Sequence, residues 1–220
     1  AGIQALDPPA DTWITGQAAS QYDFRQTIIH GLPKVVGVLL LASFVLLFLM
    51  TGSVLVPFKA LLVNVLSLAA SLGVLVWVFQ GGHLSGLLGF TPIGGVEGYV
   101  MVTAVGVGLG LAMDYEVFIL ARIKEYWDGG DDNNTAVERG LQRSGRIVTS
   151  AALIMVIVFL GFMAGDLLII KEIGLALAVM VALDATVVRL LLVPATMSLL
   201  GRWNWWAPAF LRDARERFLA

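Results

Sequence analysis

The sequence has 220 residues, of which 58% are hydrophobic and only 14% charged, with a formal net charge of −2. Soluble domains carry about 25% charged residues, so this chain cannot cover a water-facing surface and must be solvated by lipid. The absence of cysteine excludes disulfides, thiolate metal sites and cysteine nucleophiles, and basic residues that sit beside apolar segments without forming a groove-sized patch exclude nucleic acid as a partner.

The chain opens on Ala1 and a polar stretch, with no start Met and no secretory leader, and is expected to be an internal piece of a longer protein. Five apolar runs then approach the roughly 20 residues that cross about 30 Å of hydrocarbon as a helix. They extend from Val35 to Met50, Ala60 to Phe79, Val96 to Leu120, Ile147 to Gly165 and Ile173 to Leu200. The first is short unless Ile28 to Leu32 extend it. The fold class is therefore an all-α membrane protein of five transmembrane helices. Turn chemistry fills the breaks, in "TGSVLVPFK", "QGGHLSGLLGFTPIGG", "DGGDDNN" and "AGDLLIIKE". Within "NNTAVERGLQRSGR", Thr135 and Glu138 have capping-box spacing and Val137 and Leu141 share a face, which predicts a short amphipathic helix on the membrane surface.

Orientation follows from Lys and Arg, which are enriched in short cytoplasmic loops. The loop after the third run holds Arg122, Lys124, Arg139, Arg143 and Arg146, the tail holds Arg202, Arg212, Arg215 and Arg217, and Lys59 marks the turn between the first two runs. In a five-span serpentine all three regions share one side, so the loop 124–146 and the C-terminal tail are expected in the cytoplasm of a cell with this chain in its inner (plasma) membrane. Trp203, Trp205 and Trp206 then fit an interfacial belt.

The third run holds the main anomaly. Gly106, Gly110 and Asp114 are spaced by four and form one stripe, while Ala104, Gly108 and Ala112 form a second. Small residues at this spacing let another helix come close, so Gly106, Gly108 and Gly110 are expected at helix contacts and Asp114 in a helix interface. The "GVGLG" run lacks the strand and turn of a dinucleotide site. An ionised carboxylate near mid-membrane costs roughly 2.5 to 3.5 kcal/mol, so Asp114 suits a group that takes up and releases a proton. Its alternative is a neutral hydrogen bond to a neighbouring helix. Tyr115 lies about 100° further round and is expected to serve a carboxyl on a facing helix, unless it simply packs. Glu116, about 200° from Asp114, is expected to pair with a neighbour nearer the basic end.

The fifth run repeats the anomaly with Asp184 and Arg189 in "LDATVVRLLLVPA". On an α-helix five residues subtend about 140°, which argues against a direct pair and predicts separate partners on other helices or in a wet cavity. Pro194 can free backbone carbonyls without ending the span. Asn64 and Ser67 in the second run read as interhelical glue. His30 and His83 are isolated, no metal site is expected, and no cofactor is called for.

The stretches "GLAMDYEVFILARIKE", "RSGRIVTSAALIMVIVF", "LALAVMVALDATVVRLLLVPATMSLLG" and "NWWAP" together resemble the second membrane half of the MMPL family, the mycobacterial large membrane proteins of the resistance-nodulation-division superfamily. The resemblance covers nearly the whole chain in order, with "MDYEVF" and "DATVVR" carrying most of it. It implies a proton-driven exporter of lipids or glycolipids whose partners are membrane lipids, the substrate lipid, protons and the N-terminal half of the same transporter. It implies that residues 1–30 end an extracytoplasmic domain and enter the first helix, that residues 31–203 form the five-helix membrane domain, and that residues 204–220 form a cytoplasmic tail. It further implies that Asp114 and Tyr115 face an equivalent pair of the other half as a proton relay, with Asp184 and Arg189 in support. A non-transporting scaffold or sterol and lipid sensor with similar helices is the alternative. No serine–histidine pair or paired metal ligands suggest a hydrolase.

Overall fold

The computed structural model describes residues 16–92 and 94–219. Among these residues there is no strand, and the α-helices are α1 (Gln17–Thr51), α2 (Leu55–Leu75), α3 (Ser85–Leu88), α4 (Gly98–Asp128), α5 (Asn133–Phe162), α6 (Leu168–Leu183), α7 (Val193–Leu200) and α8 (Ala209–Leu219). A π-helical turn, Val76–Gln80, extends α2, a π-helical segment, Asp184–Leu192, joins α6 to α7, and a 3-10 turn, Gly201–Trp205, follows. Five rods are thus long and apolar enough to span a membrane: Ala19–Thr51, Leu55–Gln80, Gly98–Asp128, Asn133–Phe162 and Leu168–Trp205.

Each apolar run of the sequence falls on one rod, although the third begins at Val96, ahead of Gly98, and the fourth ends at Gly165, beyond Phe162; at the other run ends the rods extend further, because helical hydrogen bonding continues past the hydrocarbon wherever the backbone meets no breaker. α1 takes in Ile28 to Leu32 and starts as early as Gln17. The separate surface helix expected around Thr135 does not form, since Asn133 to Phe162 is one continuous helix. Its cap is Asp132, whose carboxylate accepts the backbone N–H groups of Asn134 and Thr135 and the Thr135 hydroxyl at 3.1, 3.3 and 2.5 Å. Those donors hold the Asp132 carboxyl below its ordinary range. Glu138 instead accepts from Gln142 at 3.1 Å, and Val137 is buried against neighbouring helices.

The bundle is inside out relative to a soluble one. Large apolar side chains such as Val38, Leu41, Ile154, Leu191 and Leu199 project outward, whereas Ser43, Asn64, Ser71, Glu172, Asp184 and Arg189 are buried. Two apolar clusters occupy the ends. Leu47, Val56, Leu120, Ile123, Val137 and Met197 pack at the end carrying Lys59 and α8, the basic end. Leu75, Phe79, Val100 and Ala104 pack at the end carrying α3. The polar side chains of α2, α4 and the π-segment fall between these clusters in sequence along each rod.

Close helix crossings depend on particular glycines. A Cβ on Gly140 of α5 would lie 2.9 Å from the Ile123 Cα and backbone nitrogen of α4, and one on Gly174 of α6 would lie 2.6 Å from the Phe159 carbonyl of α5. Gly108 packs against the Met180 side chain of α6, whereas a Cβ on Gly106 or Gly110 would meet nothing within 4 Å. Of the two small-residue stripes on α4, the one through Ala104, Gly108 and Ala112 is therefore the packed one in this chain, and the one through Gly106, Gly110 and Asp114 lies on the outside.

These approaches predict that Gly140→Leu sharply reduces monodisperse protein in mild detergent, because a backbone cannot yield as a side chain can. Gly161→Leu on the same helix, where a Cβ meets open space, should leave the yield unchanged in the same size-exclusion measurement.

Candidate functional site

The centre of the bundle is built on α4 and the π-segment. Arg189 Nε and Nη2 donate to Asp184 Oδ2 at 2.8 and 2.5 Å, and both side chains are almost wholly buried. This corrects the expectation of separate partners. In a π-segment the hydrogen bonds run from i+5 to i, which widens the turn and brings residues five apart onto nearly one face. The 140° offset holds only for an α-helix, and Asp184–Leu192 is not one.

Arg189 also reaches across to α4. Its Nη2 donates to the Ala112 carbonyl at 3.2 Å, and its guanidinium carbon lies 4.7 Å from the centroid of the Tyr115 ring. One cation thus neutralises Asp184, caps a carbonyl two residues before Asp114 and rests on the aromatic face one residue after it, an arrangement suited to the planar fork of arginine. Its Nη1 remains buried with no partner among the described residues. The Tyr115 hydroxyl donates to the Met155 sulfur of α5 at 3.1 Å, so it is not on a carboxylate; a thioether is a weak acceptor.

Glu116 points the other way, into the bundle. Its Oε2 accepts from Asn64 Nδ2 of α2 at 2.8 Å, which gives Asn64 a definite partner. A narrow cavity lined by Glu116, Leu120, Asp184, Val188 and Arg189 separates this bond from the ion pair. Ser67 is buried on the same face of α2, its hydroxyl without a partner among the described residues.

Asp114 is the exception. It lies on the exposed side of α4 with Gly106, Gly110 and Val107, and it forms none of the ion pairs found among the described residues. The structure therefore gathers Tyr115, Asp184, Arg189, Asn64 and Glu116 inside the bundle and leaves Asp114 outside it, near the middle of a helix that runs from Gly98 to Asp128.

Two further polar clusters escaped the sequence reading. At the α3 end, Lys171 donates to the carbonyls of Leu88 and Gly89 at 2.6 and 3.3 Å, while the fully buried Glu172 accepts the Glu97 N–H at 3.4 Å where α4 begins. The signal lies in the adjacent opposite charges of "IIKEIG", directly before the fifth apolar run. At the basic end, Asn204 Nδ2 donates to the Met197 and Gly201 carbonyls at 2.6 and 2.7 Å and to Asn133 Oδ1 at 3.2 Å. Lys59 donates to Asn204 Oδ1 at 3.2 Å, and Asn133 donates to the Met197 carbonyl at 2.9 Å.

These features define a multi-pass helical membrane protein with a buried ion-pair network beside an outward carboxylate. The chain belongs to the MMPL family, whose model matches residues 3–218. It is 49% identical over 216 residues to a membrane protein of Streptomyces coelicolor, covering 98% of this chain and 31% of that one. It is 36% identical over 217 residues to the trehalose monomycolate exporter MmpL3 of Mycolicibacterium smegmatis, covering 98% and 21%. MmpL11, named a heme uptake protein in Mycobacterium tuberculosis and a mycolic acid-containing lipids exporter in M. smegmatis, is 41% identical over 198 residues in each case, covering 90% of this chain and 20% and 21% of the two relatives. The chain thus spans between a fifth and a third of the length of these curated relatives.

The pair geometry predicts an asymmetry between single and double substitutions. Arg189→Met alone strands a buried carboxylate and should cost about 3 to 5 kcal/mol of stability, seen as loss of monodisperse protein after mild heating. Asp184→Leu combined with Arg189→Met removes both charges and should recover most of the folded material.

Proposed function

We propose that this chain forms most of one membrane half of a proton-driven exporter of lipids or glycolipids, and that Asp114 is its proton-binding group. The observation that carries the reading is the placement of Asp114: a carboxylate near the midpoint of a spanning helix, on an exposed glycine strip, without an ion-pair partner among the described residues. Such a group does not face lipid. A second helix must cover the strip, and the missing length of the relatives offers one in the other half of the transporter. Gly106 and Gly110 let that helix approach until a group on it can exchange a proton with Asp114.

Tyr115 and the buried pair support this role. Arg189 fixes the ring of Tyr115 and the backbone just before Asp114, so the carboxylate sits on a rigid turn. The Tyr115 hydroxyl can leave Met155 for a stronger acceptor on the facing helix, because a thioether holds it weakly. Asn64 and Glu116 brace α4 against α2 from the opposite side. No step of this cycle makes or breaks a covalent bond in the substrate, so the protein is a transporter in this reading.

The relatives bear on the substrate. Segments of similar identity occur in proteins named for trehalose monomycolate export, for mycolic acid-containing lipid export and for heme uptake, which supports a membrane segment that supplies coupling while regions outside it select the cargo. By the same reading residues 1–30 end an extracytoplasmic domain and lead into the first helix, residues 31–203 are the membrane domain, residues 204–220 are a cytoplasmic tail, and the protein lies in the plasma membrane.

In the full-length protein, Asp114→Asn should keep expression and lipid binding near normal yet abolish lipid export from cells with the proton gradient intact. Tyr115→Phe should reduce export only partly. Near-normal export by Asp114→Asn at matched protein level would reduce this residue to a packing role.

Orientation is checked separately by single-cysteine labelling in intact cells. Asn134→Cys, exposed beside the buried Asn133, should resist an impermeant maleimide, whereas Leu87→Cys, 81% exposed at the α3 end, should react. The reverse pattern would invert the topology.

A further inference from the structure

α8 presents a surface that neither the bundle nor the proposed relay uses. At about 100° per residue, Phe210, Ala214, Phe218 and Leu211 fall within one arc of about 100°, bordered by Arg217 on one side and Arg215 on the other. Glu216 lies opposite the arc. Phe210 and Phe218 are 69% and 73% exposed, an unusual state for two phenylalanines on one 11-residue helix.

Three observations say what covers this face. α8 starts at Ala209, directly beyond the last spanning rod, which ends at Trp205. Between them Trp203 and Trp206 are exposed, at the level where indoles meet lipid headgroups, while Trp205 is turned inward and stacks on Trp127 at 5.2 Å. Second, α8 is tied to the bundle. Arg215 Nε donates to the Leu49 carbonyl in the last turn of α1 at 2.8 Å, and a Cβ on Gly52, the left-handed cap of that helix, would lie 3.3 Å from the same guanidinium. A cation at a helix C-terminus meets both an unpaired carbonyl and the negative end of the helix dipole. Third, Arg215 and Arg217 border the apolar arc, where an arginine reaches phosphates while its stem stays apolar, and Arg212 and Glu216 face away toward water.

We infer that α8 lies on the anionic headgroup layer at the basic end, with Phe210 and Phe218 inserted toward the acyl chains and Arg217 on lipid phosphates. Through Arg215 it holds the last turn of α1 at a fixed depth. The partner is a lipid surface carrying negative charge, which attracts juxtamembrane arginines. This inference does not depend on the proton-binding role of Asp114.

The test uses full-length protein with any cysteine outside these residues replaced, since the 220-residue chain has none. Phe218→Cys and Glu216→Cys are each labelled with an environment-sensitive fluorophore and reconstituted into vesicles with brominated acyl chains. In phosphatidylglycerol vesicles the bromolipid should quench the probe at 218 at least about threefold more than the probe at 216, and aqueous iodide should show the reverse order. Replacing phosphatidylglycerol by phosphatidylcholine should lower the quenching at 218. Equal iodide access at both positions would overturn the inference. So would a probe at 218 shielded from iodide yet untouched by bromolipid, which would put a second copy or another protein segment on this face. Quenching indifferent to lipid charge would overturn the anionic assignment.

Discussion

The whole bundle is organised around one requirement: a positive charge held inside a protein whose solvent is hydrocarbon. The Arg189 guanidinium is almost wholly buried, so each contact it makes constrains the helix that supplies it. Asp184 lies on its own rod, the Ala112 carbonyl and the Tyr115 ring lie on α4, and together they lock the fifth rod to the third. Asn64 and Glu116 extend the same polar layer to the second rod. Apolar clusters close both ends of the layer, which keeps competing water away and leaves these side chains one another as partners.

The consequence for α4 is a helix with two unlike faces. The face through Ala104, Gly108 and Ala112 is committed to the chain's own core, and the face through Gly106, Gly110 and Asp114 is left open. Both ends of the helix are pinned, at Glu97 by Glu172 and near Ile123 by the close approach of Gly140. A helix fixed at its ends and gripped behind Asp114 presents that carboxylate without freedom to rotate it away. The restraint on Asp114 thus comes from its neighbours, through the Ala112 carbonyl and the Tyr115 ring that Arg189 holds.

Much of this is legible in the amino-acid sequence. The apolar runs located the spans because hydrocarbon thickness sets a length that composition alone reveals, and Asp114, Glu116, Asp184 and Arg189 stood out because charge inside such a run is expensive. What stayed hidden was geometry that departs from the ideal helix. The Asp184–Arg189 bond is disfavoured at 3.6 residues per turn and is direct in the wider π-segment. Both small-residue stripes of α4 are expected at helix contacts, yet only the one through Ala104, Gly108 and Ala112 is filled within this chain, since spacing shows that a stripe exists but not which neighbour fills it. Lys171, Glu172 and Asn204 read as loop or interface residues because they flank the runs, although the rods extend past the hydrophobic stretch and carry them into the packed ends. The helix expected near Thr135 merged into α5 because Asp132, one turn earlier, offers a better cap.

The π-segment has a further consequence, for how this region of the chain can change over evolutionary time. A π-turn holds one residue more than the α-turn it replaces, so Asp184–Leu192 carries a surplus that the rest of the rod has been phased to accept. Removing one residue between Asp184 and Arg189 would return the segment to ordinary α-geometry with the rod beyond it in nearly its present phase, because the surplus is what the wider turn absorbs. The two charges would then stand four residues apart, still on one face, and Asn204 would keep its place against the Met197 carbonyl and the Asn133 side chain. This stretch is therefore where homologous chains can differ in length by one residue while the packing on either side is unchanged.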